Sequence, residues 1–201
     1  MVKNSKFALI LNATVVALAV AGIVLNKNDL SPLNLSNTAN YLALVASLLF
    51  VVMIVSKKEQ KELPFFVPAL RFASTVLLVI NLLVTVLNSA LNGDFASFMN
   101  AGLLMNLVNP IISFVSFILF EADRRLNKKT TIWFGMIPVL VYFTLITVMV
   151  MASKLSSPYS FINGTSLDVA YLVAIIVVAY IVCRFTLIQN QKHTPRRVRK
   201  A

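Results

Sequence analysis

Six long apolar runs, each close to the length that a helix needs to cross a lipid bilayer, divide this chain. They cover residues 7–25, 40–55, 66–87, 101–120, 132–152 and 167–188. A helix rises about 1.5 Å per residue and the hydrocarbon core is about 30 Å thick, so about 20 residues suffice. The runs are continuous rather than alternating, which indicates helices and not barrel strands. The second run is short, and we place the corresponding span at 38–55. This helix reaches full membrane length only if it starts near Ser36.

Composition supports a membrane protein and excludes other classes. Hydrophobic residues make up 59% of the chain and charged residues 12%, with a mean hydropathy of +0.85. Such a chain lacks the polar surface of a soluble globule, and it is too apolar to be disordered. One cysteine and one histidine, His193, exclude an intrachain disulfide framework and a multi-histidine metal site. We therefore predict an all-α integral membrane bundle of six transmembrane helices over 1–191, without cofactor or metal, followed by a basic tail at 192–201.

Lysine and arginine predict how the bundle is oriented. Fifteen of the eighteen lie before the first span, in the second and fourth connections, and between residues 184 and 200. The other three connections contain two, and the remaining one, Arg71, lies inside the third span. Positively charged connections stay in the cytoplasm. Both termini are therefore expected to be cytoplasmic, which requires an even number of spans and agrees with six.

The basic tail has two readings. In the first interpretation, its lysine and arginine residues fix the membrane topology and contact the anionic lipid of the inner leaflet. The alternative, nucleic acid as the partner, is the weaker reading because the positive charge follows the membrane topology.

The first apolar run also resembles a signal peptide. Lys3 and Lys6 precede it, and Ala19-Val20-Ala21 resembles a cleavage site. The run continues through Ile23-Val24-Leu25 without a polar region before that point. This favours an uncleaved first helix, and cleavage would leave five spans in the same orientation.

Polar residues of several spans are expected at one depth. With the predicted orientation they lie in the outer half of the bundle, where membrane proteins place such groups inside the bundle or in a water-filled cavity. The candidate ligand-binding residues are Asn37, Asn40, Asn81, Thr85, Asn109 and Asp168, and the candidate catalytic residues are Ser36 and Asn106. The shared depth predicts a pocket that opens outward.

A structural explanation of the same residues stays open. Asparagine, serine and threonine hold membrane helices together by hydrogen bonds. Asn109-Pro110 can be a kink, because Pro110 has no backbone N–H. Asp168 is read as an interfacial residue, and Arg71 is expected to extend its guanidinium to the interface.

Five segments of the chain resemble the bacterial relatives of the androgen-induced-gene and androgen-dependent TFPI-regulating proteins. The similar segments are Leu35-Ser36-Asn37-Thr38-Ala39-Asn40, Leu70-Arg71-Phe72-Ala73-Ser74-Thr75, Asn106-Leu107-Val108-Asn109-Pro110 with Phe117-Ile118-Leu119-Phe120-Glu121, Ile137-Pro138-Val139-Leu140-Val141-Tyr142, and Pro158-Tyr159-Ser160-Phe161. Together they cover about residues 30–165 in matching order. The resemblance implies a fold of six membrane helices, and animal members of the family hydrolyse fatty acid esters of hydroxy fatty acids.

The chemistry that the resemblance implies is incomplete in this chain. The family's proposed mechanism uses a threonine nucleophile and a histidine base, and here Ser36 and Asn106 stand at those positions. A hydroxyl needs a base to become a nucleophile, and an amide is not one. Asn106 could orient a carbonyl as an oxyanion-hole donor does, and Asp168 is the candidate substitute base.

Four functions remain open from the sequence. The first is a non-catalytic or weakly catalytic relative of the lipid-ester hydrolases that binds an acyl lipid in its outward-facing pocket. The second is an active serine ester hydrolase that uses Ser36. The third is a small transporter. The sequence argues against this function, because it lacks the repeated broken helices that are typical of transporters. The fourth is an assembly partner for another membrane protein. The expected location in every case is the bacterial cytoplasmic membrane.

Overall fold

A computed structural model describes residues 5–27, 29–56, 63–121, 123–127 and 129–193. Within these residues the chain is all-helical, and six helices are long and apolar enough to span a membrane. They are α1 (Ser5–Leu25), α2 (Leu35–Ser56), α3 (Phe66–Asn92), α4 (Ala101–Leu119), α5 (Ile132–Met151) and α6 (Leu167–Lys192). The predicted all-α fold with six helices able to cross a membrane is confirmed. Of the predicted basic tail 192–201, residues 194–201 lie outside the described part.

Two helices extend by four or five residues at their C-terminal ends beyond the apolar runs that predicted them. α3 continues from 87 to Asn92, and α6 continues from 188 to Lys192. Polar residues can extend a helix past the hydrocarbon layer, because their side chains reach water there while the backbone stays hydrogen-bonded. α3 stops at Gly93, whose φ of 64° is left-handed and whose N–H donates to the carbonyl of Ser89.

The helices run alternately up and down, so the start of α1 and the end of α6 lie at the same end of the bundle. Asn12 of α1 contacts Glu121 just after α4, and Asn190 of α6 donates to the carbonyl of Phe117. We call this the terminal end, and we call the other end, where Leu35 and Ala101 begin their helices, the loop end. α3 is the most enclosed helix, since it packs against α2, α4, α5 and α6.

α4 is interrupted near its loop end. Residues Leu104–Val108 form a π-helical segment, in which the N–H of Asn109 donates to the carbonyl of Leu104. Pro110 follows and has no N–H for the next carbonyl, that of Met105. α1 approaches this segment closely, because a Cβ atom on Gly22 would lie 2.3 Å from Cγ of Met105. Such π segments are frequent at functional sites.

Candidate functional site

A cavity of about 450 Å³ lies at the loop end of the bundle. The end of α1, the start of α2, the loop half of α3 and the start of α4 surround it. Its polar lining includes four of the residues that the sequence singled out, Ser36, Asn81, Thr85 and Asn106. Leu25, Leu35, Met99 and Met105 add apolar surface to the same cavity. Four of the eight candidate residues thus line one cavity at this end of the bundle, and Asn37, Asn40, Asn109 and Asp168 do not line it.

Ser36 and Asn106 line the same cavity, although they belong to different helices. The Nδ2 of Asn81 donates to Oδ1 of Asn106 at 3.0 Å, and the Nδ2 of Asn106 donates to the carbonyl of Ser97 at 2.8 Å. Asn106 is thus fixed in orientation at both ends of its amide. Within the described part of the chain, no side chain is hydrogen-bonded to the hydroxyl of Ser36. The arrangement presents a free hydroxyl beside neutral amides.

Asn40 and Asn109 lie behind the cavity wall and join α2 to α4. The Nδ2 of Asn40 donates to the carbonyls of Ser36 at 2.8 Å and Met105 at 3.1 Å. The Nδ2 of Asn109 donates to Oδ1 of Asn40 at 2.7 Å. Since Pro110 cannot donate to Met105, the side chain of Asn40 supplies the missing hydrogen bond. Both asparagines are fully buried and have a structural role at the cavity.

Asn37 is also buried but holds the loop between α1 and α2. Its Nδ2 donates to the carbonyls of Asp29 at 2.8 Å and Ser31 at 3.0 Å. Asp29 and Asn34, both from this loop, line the cavity, and their side chains are hydrogen-bonded to each other at 3.1 Å. The Oδ1 of Asn34 accepts the N–H of Ser36 at 3.0 Å. Asp29 therefore brings an exposed carboxylate to the mouth of the cavity, which sequence reasoning missed.

The loop between α5 and α6 covers one side of the cavity with Tyr159. The hydroxyls of Tyr142 and Tyr159 are 2.8 Å apart, and the hydroxyl of Tyr142 donates to the carbonyl of Leu33 at 2.6 Å. Ser160 donates to Oδ1 of Asn88 through its N–H and its hydroxyl, both at 3.0 Å. Burial, and then the neighbouring hydroxyl of Tyr142, raise the pKa of Tyr159 well above its usual value. This tyrosine therefore stays neutral and keeps the loop in place.

A second, more open hollow of about 790 Å³ lies on the other side of Tyr159. Asn88, Pro158 and Tyr159 line both hollows, so they form the partition between them. Its remaining lining is mainly hydroxyl and amide side chains with Lys154.

Asp168 lies apart from the other candidate residues. Its carboxylate accepts the backbone N–H groups of Asn163 at 3.0 Å and Gly164 at 2.7 Å, just before α6. It is buried and is not among the residues that line either hollow. The structure thus does not bring Asp168 to Ser36, where a substitute base would have to stand. Carboxylates near the start of a helix are stabilised by its dipole, which explains this position.

Arg71 does not extend to the interface, so that expectation is wrong. Its side chain is fully buried and forms a salt bridge with Glu121, with Nη2 3.0 Å from Oε1 and Nε 3.0 Å from Oε2. Its Nη1 also donates to the hydroxyl of Ser47 at 2.9 Å. The Nδ2 of Asn12 donates to the same carboxylate at 2.8 Å. The paired charge and its hydroxyl partners explain why Arg71 can remain inside the bundle.

Sequence reasoning missed Glu121 because this residue follows the apolar run, where a carboxylate is normally solvated. The signal that could have found it is Arg71 itself, since a charge inside a span requires a partner. Among the described residues, no group of three or more His, Cys, Asp or Glu side chains could hold a metal ion.

The chain matched no protein-family model, no curated protein and no solved structure.

Proposed function

We propose that this multi-pass membrane protein binds an acyl lipid by its polar head in the loop-end cavity and does not hydrolyse it. The observation that supports this function is that Ser36 and Asn106 line one cavity. In the lipid-ester hydrolase family that the chain resembles, these two positions hold the proposed threonine nucleophile and histidine base. A hydroxyl is retained at the first position, and an amide replaces the base at the second.

The hydrogen bonds around Asn106 favour binding over catalysis. Its Oδ1 accepts a hydrogen bond from Asn81 and its Nδ2 donates to the carbonyl of Ser97. Both polar atoms of the amide are therefore engaged within the protein. An amide also cannot remove a proton from Ser36 at neutral pH. The hydroxyl of Ser36 and the side chain of Thr85 remain to bind the oxygen atoms of a ligand.

The surroundings of the cavity favour a neutral polar head, such as an ester or an alcohol. Asp29 places a carboxylate at the cavity, and it would repel an anionic head. Leu25, which is well exposed, and Leu35 provide apolar contact for the first part of an acyl chain. Pockets of this kind combine apolar walls with a few polar groups that fix orientation.

The test is a paired measurement of binding and ester hydrolysis on protein purified in detergent, with a long-chain monoacylglycerol as the probe. Wild type should bind the probe without cleaving it, and Ser36→Ala should weaken binding. Ser56→Ala, at the exposed terminal end of the same helix, is the matched control and should leave binding unchanged. Asn106→His should gain slow hydrolysis that disappears in the Ser36→Ala, Asn106→His double variant.

Two results would contradict this function. Hydrolysis by the wild type that is lost in Ser36→Ala would show an active serine hydrolase. If the folded wild type does not bind the probe and its thermal stability is unchanged by the probe, the acyl lipid is not a ligand of the cavity.

We also propose that the terminal end faces the cytoplasm of a bacterial cell and that the cavity opens outward. The support is the distribution of lysine and arginine, fifteen of which flank the spans on that side. The tail at 192–201 then meets the anionic leaflet. Labelling of intact cells with an impermeant thiol reagent, in a Cys183→Ala background, tests this orientation. Asn92→Cys should react and Ser56→Cys should not, and the opposite pattern would reverse the orientation.

A further inference from the structure

A row of buried polar side chains, in two hydrogen-bonded groups, leads from the cavity wall to the terminal end. We call it the polar track and define it by Asn40, Asn109, Thr75, Ser113, Arg71 and Glu121. All six are buried, and none is more than 3% exposed. On α4, Asn109 and Ser113 are four residues apart, so they lie on the same face of the helix. The track therefore crosses most of the thickness of the bundle between α2, α3 and α4.

Short contacts connect the members within each of two groups, and one turn of α4 separates Asn109 of the first group from Ser113 of the second. Asn109 donates to Asn40 at 2.7 Å, and the hydroxyls of Thr75 and Ser113 are 3.1 Å apart. Nη1 of Arg71 is 3.4 Å from the hydroxyl of Ser113, and its Nη2 donates to Glu121 at 3.0 Å. Apolar side chains at Thr75, Ser113, Arg71 and Glu121 would fill the same space without the cost of burying polar atoms. The arrangement therefore suggests a purpose beyond packing.

Two oxygen atoms along the row lack a donor within the described structure. They are Oδ1 of Asn109, near the middle of the bundle, and Oδ1 of Asn12, beside Glu121. Both residues are fully buried. An unpaired amide oxygen in a membrane interior is costly, and a water molecule or a solute hydroxyl would satisfy it.

We propose that the polar track is a permeation path for water and small neutral polar solutes, closed at the terminal end by the Arg71–Glu121 salt bridge. The path begins at the loop-end cavity, because Asn40 donates to the carbonyl of Ser36 in the cavity wall. The π-helical segment and Pro110 of α4 lie beside its first half. This path does not depend on an acyl ligand.

The charge of the track selects neutral solutes. Its two ionised groups are one arginine and one glutamate, which neutralise each other. A cation would meet the guanidinium of Arg71 and an anion the carboxylate of Glu121, and neither ion finds a ring of ligands to replace its water. Amide and hydroxyl groups match the hydrogen bonds of water, glycerol or urea.

The test measures glycerol and water permeability of proteoliposomes by light scattering after an osmotic step. Replacing both charged groups by neutral amides of similar size, Arg71→Gln with Glu121→Gln, should raise permeability several-fold over wild type. Adding Ser113→Leu, which fills the track, should return it to the level of empty liposomes. Val115→Leu, on the exposed side of the same helix, is the matched control and should leave the raised permeability unchanged.

A second variant keeps the test decisive if the double substitution does not fold. Arg71→Lys retains the charge but loses the two parallel bonds to Glu121, so it should open the path in part. Its permeability should rise above wild type and fall again with Ser113→Leu. Folded variants whose permeability equals that of wild type, or does not respond to Ser113→Leu, would overturn the path. Lipid binding in the cavity is measured separately and does not bear on this result.

Discussion

The side chain of Asn40 takes the place of the backbone N–H that Pro110 lacks, by donating to the carbonyl of Met105 across 3.1 Å. The same side chain accepts from Asn109. One asparagine of α2 thus satisfies the interrupted backbone of α4 and one of its side chains.

Asn40→Ala should strongly destabilise the bundle, because it leaves the carbonyl of Met105 and the Nδ2 of Asn109 without these partners. Each unsatisfied buried group costs about 1–3 kcal/mol. The measurement is the fraction of monodisperse protein after heating in detergent. Tyr41→Phe, which removes a bond from an exposed hydroxyl to Leu30, is the control on the same helix and should have little effect. Equal melting temperatures for the two variants would contradict the role of Asn40.

Removing one charge of the buried pair should cost more than removing both. Arg71→Met leaves Glu121 as an unpaired buried carboxylate, and breaking such pairs typically costs about 3–5 kcal/mol. Arg71→Met combined with Glu121→Met should recover much of that loss, since no charge remains in the interior. Heating curves of the single and double variants measure the difference. A double variant less stable than Arg71→Met would show that the charges do not act as a pair.

The loop over the cavity should weaken only at high pH. The raised pKa of Tyr159 means that the folded state favours the neutral hydroxyl. Its stabilising contribution is therefore present below the ordinary tyrosine pKa of about 10 and is lost as pH rises through the raised value. A phenolate absorbance titration should show that Tyr159→Phe removes one late-ionising group. If the lost group ionised at its ordinary pH, Tyr159 would not be buried in solution.

Asp168→Asn should lower stability without changing ligand binding. The substituted amide retains one oxygen for the two N–H groups of Asn163 and Gly164, so one part-buried hydrogen bond is lost, at about 0.5–1.5 kcal/mol. Asp94→Asn is the control, because Asp94 accepts the N–H of Ala96 in an exposed turn and should tolerate the change. Thermal unfolding and binding of the acyl probe are measured on both. Loss of binding with unchanged stability would instead place Asp168 in the binding site.

Hydropathy was sufficient to predict the six helices, since a backbone in lipid must satisfy its own hydrogen bonds. The alternating direction of successive helices also predicted that Ser36, Asn81 and Asn106 lie at one depth, because the end of one helix and the start of the next lie on the same side of the bundle. The pairing of Asn40 with Asn109 could not be predicted in this way. It depends on the π-helical turns before Pro110, which rotate the faces of α4 by an amount that the sequence pattern does not give.

Glu121 and Asp168 show a second limit of the sequence. Each lies next to the end of an apolar run, where hydropathy predicts solvent. Glu121 instead turns back to Arg71, and Asp168 binds N–H groups of its own loop. Both positions depend on the path of the chain after or before a helix, which composition does not determine.

The bond between Asn12 and Glu121 has a consequence for biosynthesis. The two residues are 109 positions apart in the chain. The first helix leaves the ribosome long before the carboxylate that Asn12 contacts has been synthesised. During that interval its Nδ2 keeps the bond to the carbonyl of Ala8 in the same helix, and its second N–H is left to lipid headgroups, water or the insertion machinery. Final docking of the N-terminal helix is thus a late event, completed only after translation has passed the fourth helix.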